Sequence, residues 1–189
     1  MSGHIANHSS YLSDEFLISC GTVTLDIKAN KVLLVRVRKV TDAGPIYETI
    51  LPRSPKLRRE PCKAAALRAT FEQTGVQVQP LPAGHFTLAA DPQSRQRSQE
   101  GLLTEPIGII QTIFEDGIEI IFFYVAWADS TIPHIQMVWP EGVDFQPSWQ
   151  DLDDANYFLS RGYERRMLEE AMRAVVRALR LVTNALMPA

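Results

Sequence analysis

Glu60, Ala64, Arg68 and Glu72 stand four residues apart, so a helix would line them up along one stripe. Two carboxylates flanking a guanidinium allow two kinds of chemistry. Arg68 can pair with Glu72 on the helix and with Glu60 at its start, bracing the preceding loop. Alternatively, the same groups form an acid/base pair in a pocket. Just upstream, Arg53, Lys56, Arg58 and Arg59 crowd one short segment. Cations ahead of a helix start make an anion site, because free backbone N–H groups point the same way; the plainer alternative is a solvated basic loop. His85, near a strand start, and His134, in a loop, are candidate proton shuttles, although a lone histidine is more often incidental. Phe122, Phe123, Tyr124 and Trp127 share one segment. Alternation sets Phe122 and Tyr124 on one face and Phe123 on the other. Most of this is core packing, and the remainder, Tyr124 included, would line an apolar pocket. No Ser-His-Asp constellation, phosphate-binding glycine loop or zinc spacing occurs.

These residues need elements to hold them. Pro61 suits the first turn of a helix, Ala64 to Leu67 are good helix formers, and Gly75 reads as its C-terminal cap. Phe16 to Ile27 is β-branched and alternating, with Gly21 as a candidate bulge. Ala29-Asn30-Lys31 reads as a turn. Val32 to Val40 alternates, Val35 and Val37 against Arg36 and Arg38, predicting a half-buried strand. Ile46 to Leu51, Val76 to Leu81 and His85 to Ala89 also have strand character. Asp91 to Glu100 is polar and reads as a surface loop. Ile107 to Phe114 and Ile118 to Ala128, about Asp116-Gly117, predict a hairpin. Pro133 to Pro147 reads as irregular and Asp151 to Leu159 as a short turn or helix. Leu168, Met172, Val175, Leu179, Val182 and Leu186 recur at helical spacing within Tyr163 to Leu186, a helix of about 36 Å. Strands interleaved with a central and a terminal helix predict an α/β class with sandwiched layers. Residues 1–14 read as a flexible leader and 15–187 as one domain.

The segment Leu51-Pro52-Arg53 to Val76 resembles the Nudix box. Glu60 and Arg68 are separated by seven residues, as that signature requires, and Glu72, Gly75 and Val76 fall in register. The resemblance spans roughly Ser19 to Val182. It implies an α/β/α sandwich with a mixed sheet, a box helix and a long C-terminal helix. It also implies hydrolysis of nucleoside diphosphates linked to another group, with three helix carboxylates holding Mg²⁺. The sequence departs from it there. Ser54 replaces the first glycine, Thr70 occupies an apolar position, and Ala69 and Gln73 replace two of the three carboxylates. Magnesium wants hard, charged oxygen ligands in octahedral geometry, and one glutamate with one neutral amide is a poor substitute. Glu105, Glu119 and Glu141 lie where such an enzyme would recruit a further carboxylate. The segments Ile118 to Trp127 and Asp151 to Leu159 look similar to fungal Nudix proteins, which implies a biosynthetic role.

The chain has 189 residues and a net charge of −3, so no global basic excess points to nucleic acid. The leader lacks the apolar core of a secretory signal, and Ile118 to Ala128 is too short to span a bilayer. Cys20 and Cys62 read as free thiols in a reducing compartment, the cytoplasm. The catalytic candidates are Glu60, Arg68, Glu72 and Gln73. The substrate-binding candidates are Arg53, Lys56, Arg58, Tyr124 and His85. No metal ligand and no cofactor are assigned; Mg²⁺ enters only under the hydrolase alternative. The expected partner is a small-molecule substrate, with neither nucleic acid nor membrane, and a homodimer stays open. The leading expectation is a metal-independent enzyme doing acid/base chemistry, isomerisation or cyclisation, on a small organic molecule. The alternatives are a Mg²⁺-dependent diphosphohydrolase and an inactive binding or scaffold protein.

Overall fold

A computed structural model describes residues 9–41, 44–87, 101–139 and 144–186. In chain order the elements are β1 (Phe16–Asp26), β2 (Lys31–Thr41), β3 (Gly44–Ile50), β4 (Arg53–Pro55), α1 (Cys62–Thr74), β5 (Gln79–Pro80) and β6 (Ala83–His85). There follow β7 (Gly101–Leu103), β8 (Gly108–Phe114), β9 (Gly117–Trp127), β10 (Phe145–Asp151), α2 (Ala155–Phe158) and α3 (Gly162–Leu186). The main sheet runs β10-β2-β1-β9-β5, with β3 on β2, β4 on β1 and β8 on β9. It is mixed: β1 and β9 are parallel and the other pairs antiparallel.

Alternation along β1 and β9 sends side chains to two different layers. Cys20 and Tyr124 pack with Ala65 and Ala66 of α1. Val23, Leu25, Ile121, Phe123 and Val125 pack with Leu168, Ala171, Ala174 and Val175 of α3. The two helices therefore cover opposite faces of the sheet, and the sandwich expected from the sequence is present. No helix among the described residues is long and apolar enough to cross a membrane.

Several local readings change. Gly21 is not a bulge, because its ladder to β9 is continuous. It is a close approach: a Cβ there would lie 2.4 Å from the Pro52 carbonyl oxygen, and only glycine lets β4 come that near. Val32 to Val35 are all buried, because both faces of that half of β2 are covered. Part of the basic loop is a strand, β4. Pro80 and Pro82 cannot donate to a ladder, so only Gln79–Pro80 and Ala83–His85 pair, and Leu88 and Ala89 lie outside the described residues. The polar stretch Asp91 to Glu100 also lies outside them. The two-residue hairpin turn is Glu115-Asp116, since Phe114 pairs with Gly117. Pro147 sits in β10, a strand read from sequence as irregular. It is accommodated because β10 ends the run of strands. The α3 stripe is buried only as far as Val175; Leu179, Val182 and Leu186 are exposed.

Candidate active site

β4 pairs with β1 and packs against α1, and Arg68 joins the helix to β4 and to the loop that follows it. Its guanidinium donates from Nε to Glu60 Oε1 at 2.7 Å and from Nη2 to Glu60 Oε2 at 2.9 Å. It also donates to Glu72 Oε2 at 2.6 Å, to the Pro55 carbonyl at 2.9 Å and to Ser54 Oγ at 3.4 Å. The fork shape of arginine makes this possible, since five donors leave one plane in fixed directions. Glu60 also accepts the Leu57 N–H at 2.9 Å, closing the loop on itself. The Arg68 hydrogen bond, ahead of the loop N–H, holds the Glu60 carboxyl below the usual carboxylate range. In turn these carboxylates hold the guanidinium proton more tightly than usual. Of the two carboxylates, Glu60 is largely covered, whereas the Glu72 side chain is 50% exposed.

The helix positions expected to face a metal face something else. Ala69 is fully buried. Gln73 is buried and its amide is used at both ends: Oε1 accepts the Arg53 N–H at 3.0 Å, and Nε2 donates to the Arg53 carbonyl at 2.7 Å. The side chain thus pairs with β4 as a neighbouring strand would. A carboxylate could accept that N–H but could not donate to the carbonyl. Thr70 joins a buried hydroxyl chain, with its Oγ1 2.7 Å from Thr22 Oγ1, itself 2.7 Å from Thr24 Oγ1. These residues do not fit a magnesium claw. Ala69 offers no donor, the neutral Gln73 amide is turned onto the Arg53 backbone, and one oxygen of Glu72 belongs to Arg68. Among the described residues no group of three or more His, Cys, Asp and Glu could hold a metal ion.

The basic segment divides. Arg53 pairs with Glu164 of α3, which is fully buried and also accepts the Leu51 N–H at 3.2 Å. Burial raises the Glu164 carboxyl above its usual range, with Arg53 pulling against it. Lys56 donates to the Leu57 carbonyl at 3.1 Å, and Arg58 and Arg59 are exposed. Sequence reasoning missed Glu164. The signal was available: with Leu168 and Ala171 it falls on the helix stripe that faces the core, where a charge needs a partner.

Tyr124 is buried beneath α1, and that burial pushes its phenol above the usual range. It is a core residue of the α1 layer. His85 lies on the other face, on β6, where Gly84 meets the backbone of α3 at Ala178. It is buried, Nδ1 lies 3.2 Å from the Ala83 carbonyl, and Nε2 has no partner among the described residues. Burial lowers its pKa and favours the neutral ring. The structure therefore brings together Glu60, Arg68, Glu72, Gln73, Arg53 and Lys56, and leaves His85 apart. Glu119 accepts from Ser19 Oγ at 2.6 Å, Glu105 and His134 are exposed, and Glu141 lies outside the described residues. Cys20 and Cys62, distant in sequence, pack in one cluster, with each thiol close enough to act on the other.

No protein-family model matches the sequence, and a search of curated proteins finds no match. Solved structures do match. A NUDIX hydrolase from Nitrosomonas europaea superposes with a TM-score of 0.56 at 14% identity, covering 84% of this chain and 90% of its own. The MutT protein of Methanosarcina mazei Go1 gives 0.54 at 18%, covering 86% and 97%. A C. elegans Ap4A hydrolase gives 0.54 at 12%, covering 82% and 93%. At such identities the likeness is one of fold: this chain has the Nudix fold.

Proposed function

From that fold, we propose that this chain is a metal-independent protein acting in the cytoplasm on a small organic molecule by acid/base chemistry, isomerisation or cyclisation. The observation that carries the metal-independent part is Gln73. Its amide reads both backbone groups of Arg53, so the helix face that would hold a cation braces β4 instead. In this reading Glu72 is the group that moves a proton. Arg68 fixes its Oε2, and the half-exposed carboxylate can take a proton from a substrate through its other oxygen. Glu60 is bound by both arms of Arg68 and by the Leu57 N–H, and is a positioning residue.

The test is direct. Calorimetric titration of the purified chain with Mg²⁺ or Mn²⁺ should show binding no tighter than about millimolar, since Mg²⁺ dehydrates reluctantly for so few charged oxygens. Phosphate release from nucleoside-diphosphate-linked compounds should stay at background with either metal. Micromolar binding with efficient release would overturn the proposal and favour the diphosphohydrolase reading, which the hydrolase names of the similar structures support. One observation favours an inactive binding protein: Arg68 engages both nearby carboxylates. Glu72→Gln separates the two, because an acid/base enzyme loses turnover on its substrate, while a binding protein has none to lose.

A further inference from the structure

Two adjoining concavities lie away from the Glu60–Arg68 pair, where β1 and β9 end. One has a volume of about 530 Å³ and an adjoining one about 540 Å³, and Lys28, Trp127, Ala128 and Asp129 line both. They are two halves of one groove about the Trp127 indole, a volume suited to a small organic ligand. Trp127 is 46% exposed. Beside it Leu25, Ile27 and Leu81 wall one half, and Val76, Ile132 and Ile135 the other.

The groove is built before any ligand arrives. Asp26 is buried at its edge and accepts the N–H groups of Lys28 at 3.1 Å, Ala29 at 3.0 Å and Ser130 at 2.7 Å. One carboxylate thus ties the loop after β1 to the loop after β9. Asp129 is used in the same way, accepting from the Thr131 N–H at 2.9 Å and its hydroxyl at 2.6 Å. Lys28 is different. It lines both halves and is exposed, and its charge acts on the Asp129 carboxyl without a direct hydrogen bond among the described residues.

We propose that this groove binds a planar aromatic molecule carrying a single negative charge, an aromatic carboxylate or sulfonate, with its ring against Trp127 and its anionic group on Lys28. A flat apolar wall favours ring stacking, and the Lys28 ammonium, which also acts across space on the Asp129 carboxyl, supplies one charge-assisted contact. Asp26 and Asp129 beside that lone cation disfavour a multiply charged polyphosphate, which narrows the class to monoanions. The site is independent of what the box helix does, so it stands whether or not the proposed acid/base reading holds.

The probe is 2-naphthoate, titrated calorimetrically into the full chain, with neutral 2-naphthalenemethanol as the comparison. Saturable one-to-one binding of 2-naphthoate is expected, with the indole N–H resonance that Trp127→Phe removes shifting in the NMR spectrum. Trp127→Ala should weaken both ligands by about tenfold or more through the lost stacking surface. Lys28→Glu, an exposed change that should leave the melting temperature in place, should weaken 2-naphthoate by about tenfold and leave the neutral compound unchanged. Unsaturable binding, or binding of 2-naphthoate indifferent to both Trp127→Ala and Lys28→Glu, would overturn the proposal. Equal loss of both ligands in Lys28→Glu would overturn its charge selectivity.

Discussion

The two faces of the sheet are held by different means. Beneath α3 lie Val23, Leu25, Ile121, Phe123 and Val125, met by Leu168, Ala171, Ala174 and Val175. Beneath and beside α1 lie small and polar groups: Ala65, Ala66, Ala69, Thr70, Gln73 and Thr74 are its buried residues. Apolar burial is non-directional and scales with area, so α3 is held by bulk. Hydrogen bonds are directional, so α1 is held in one register by Arg68, Gln73 and Thr70. Of these two helices, α1 buries the smaller side chains and is tied to its loop by directional bonds, which is what a site requires.

Breaking the α3 layer should have the largest effect. Phe123 is fully buried, and Phe123→Ala should cost about 3–5 kcal/mol, through lost transfer energy and the cavity left behind. Denaturant unfolding measures this directly, and a loss below about 1 kcal/mol would mean that the layer is not packed as described.

Breaking the α1 layer should cost less and depend on pH. Arg68→Ala should cost about 2–3 kcal/mol, between an exposed and a fully buried pair, and Arg68→Lys should not restore the loss because it lacks the fork. Glu60 has a folded pKa below its ordinary 4.5. Its contribution is therefore present above that value and lost as pH falls through the folded one. The gap between wild type and Arg68→Ala should narrow in acid. An unchanged melting temperature at neutral pH would show that the brace carries no stability.

A smaller effect is expected at Gln73. Gln73→Glu removes the donor to the Arg53 carbonyl and sets a negative charge against it, at about 1–2 kcal/mol. Acid should relieve part of this, since the protonated carboxyl can donate again. Adding Ala69→Glu would place a second carboxylate at a fully buried position. The double variant should therefore lose stability before it gains any metal-dependent phosphate release, and a stable, active double variant would contradict the brace.

The smallest effect concerns reactivity and tests how closed the α1 face is. Burial first, and Cys62 beside it second, push the Cys20 thiol up to about 12. Iodoacetamide at mildly alkaline pH should therefore add to Cys62 alone in the folded chain and to both thiols after denaturation, counted by mass spectrometry. Two adducts on the native chain would mean that α1 lifts from β1.

Much of this was legible in advance because it is local. The four-residue steps through Glu60, Ala64, Arg68 and Glu72 offered the brace as one of two readings, and Pro61 and Gly75 marked the ends of α1, with Gly75 in the left-handed conformation at φ 69°. Alternation also assigned Phe122 and Tyr124 to one face and Phe123 to the other. What stayed hidden depends on which residues meet across the chain. Gln73 reads as a lost ligand until the Arg53 backbone is seen against its amide. Arg53 reads as a free cation until Glu164 is found beneath it, and Cys20 and Cys62 read as unrelated.

The sequence by itself determined the fold class, the two main helices and the cluster around Arg68, because periodicity, caps and four-residue steps are written within a few turns of chain. Only the tertiary structure decided what that cluster touches and where a ligand-sized groove opens. Strand β4 has to lie against Gly21 before Gln73 has a backbone to bind. The loops after β1 and β9 have to meet at Asp26 before Trp127 and Lys28 face one groove. Those contacts join residues far apart in sequence, and no local pattern records them.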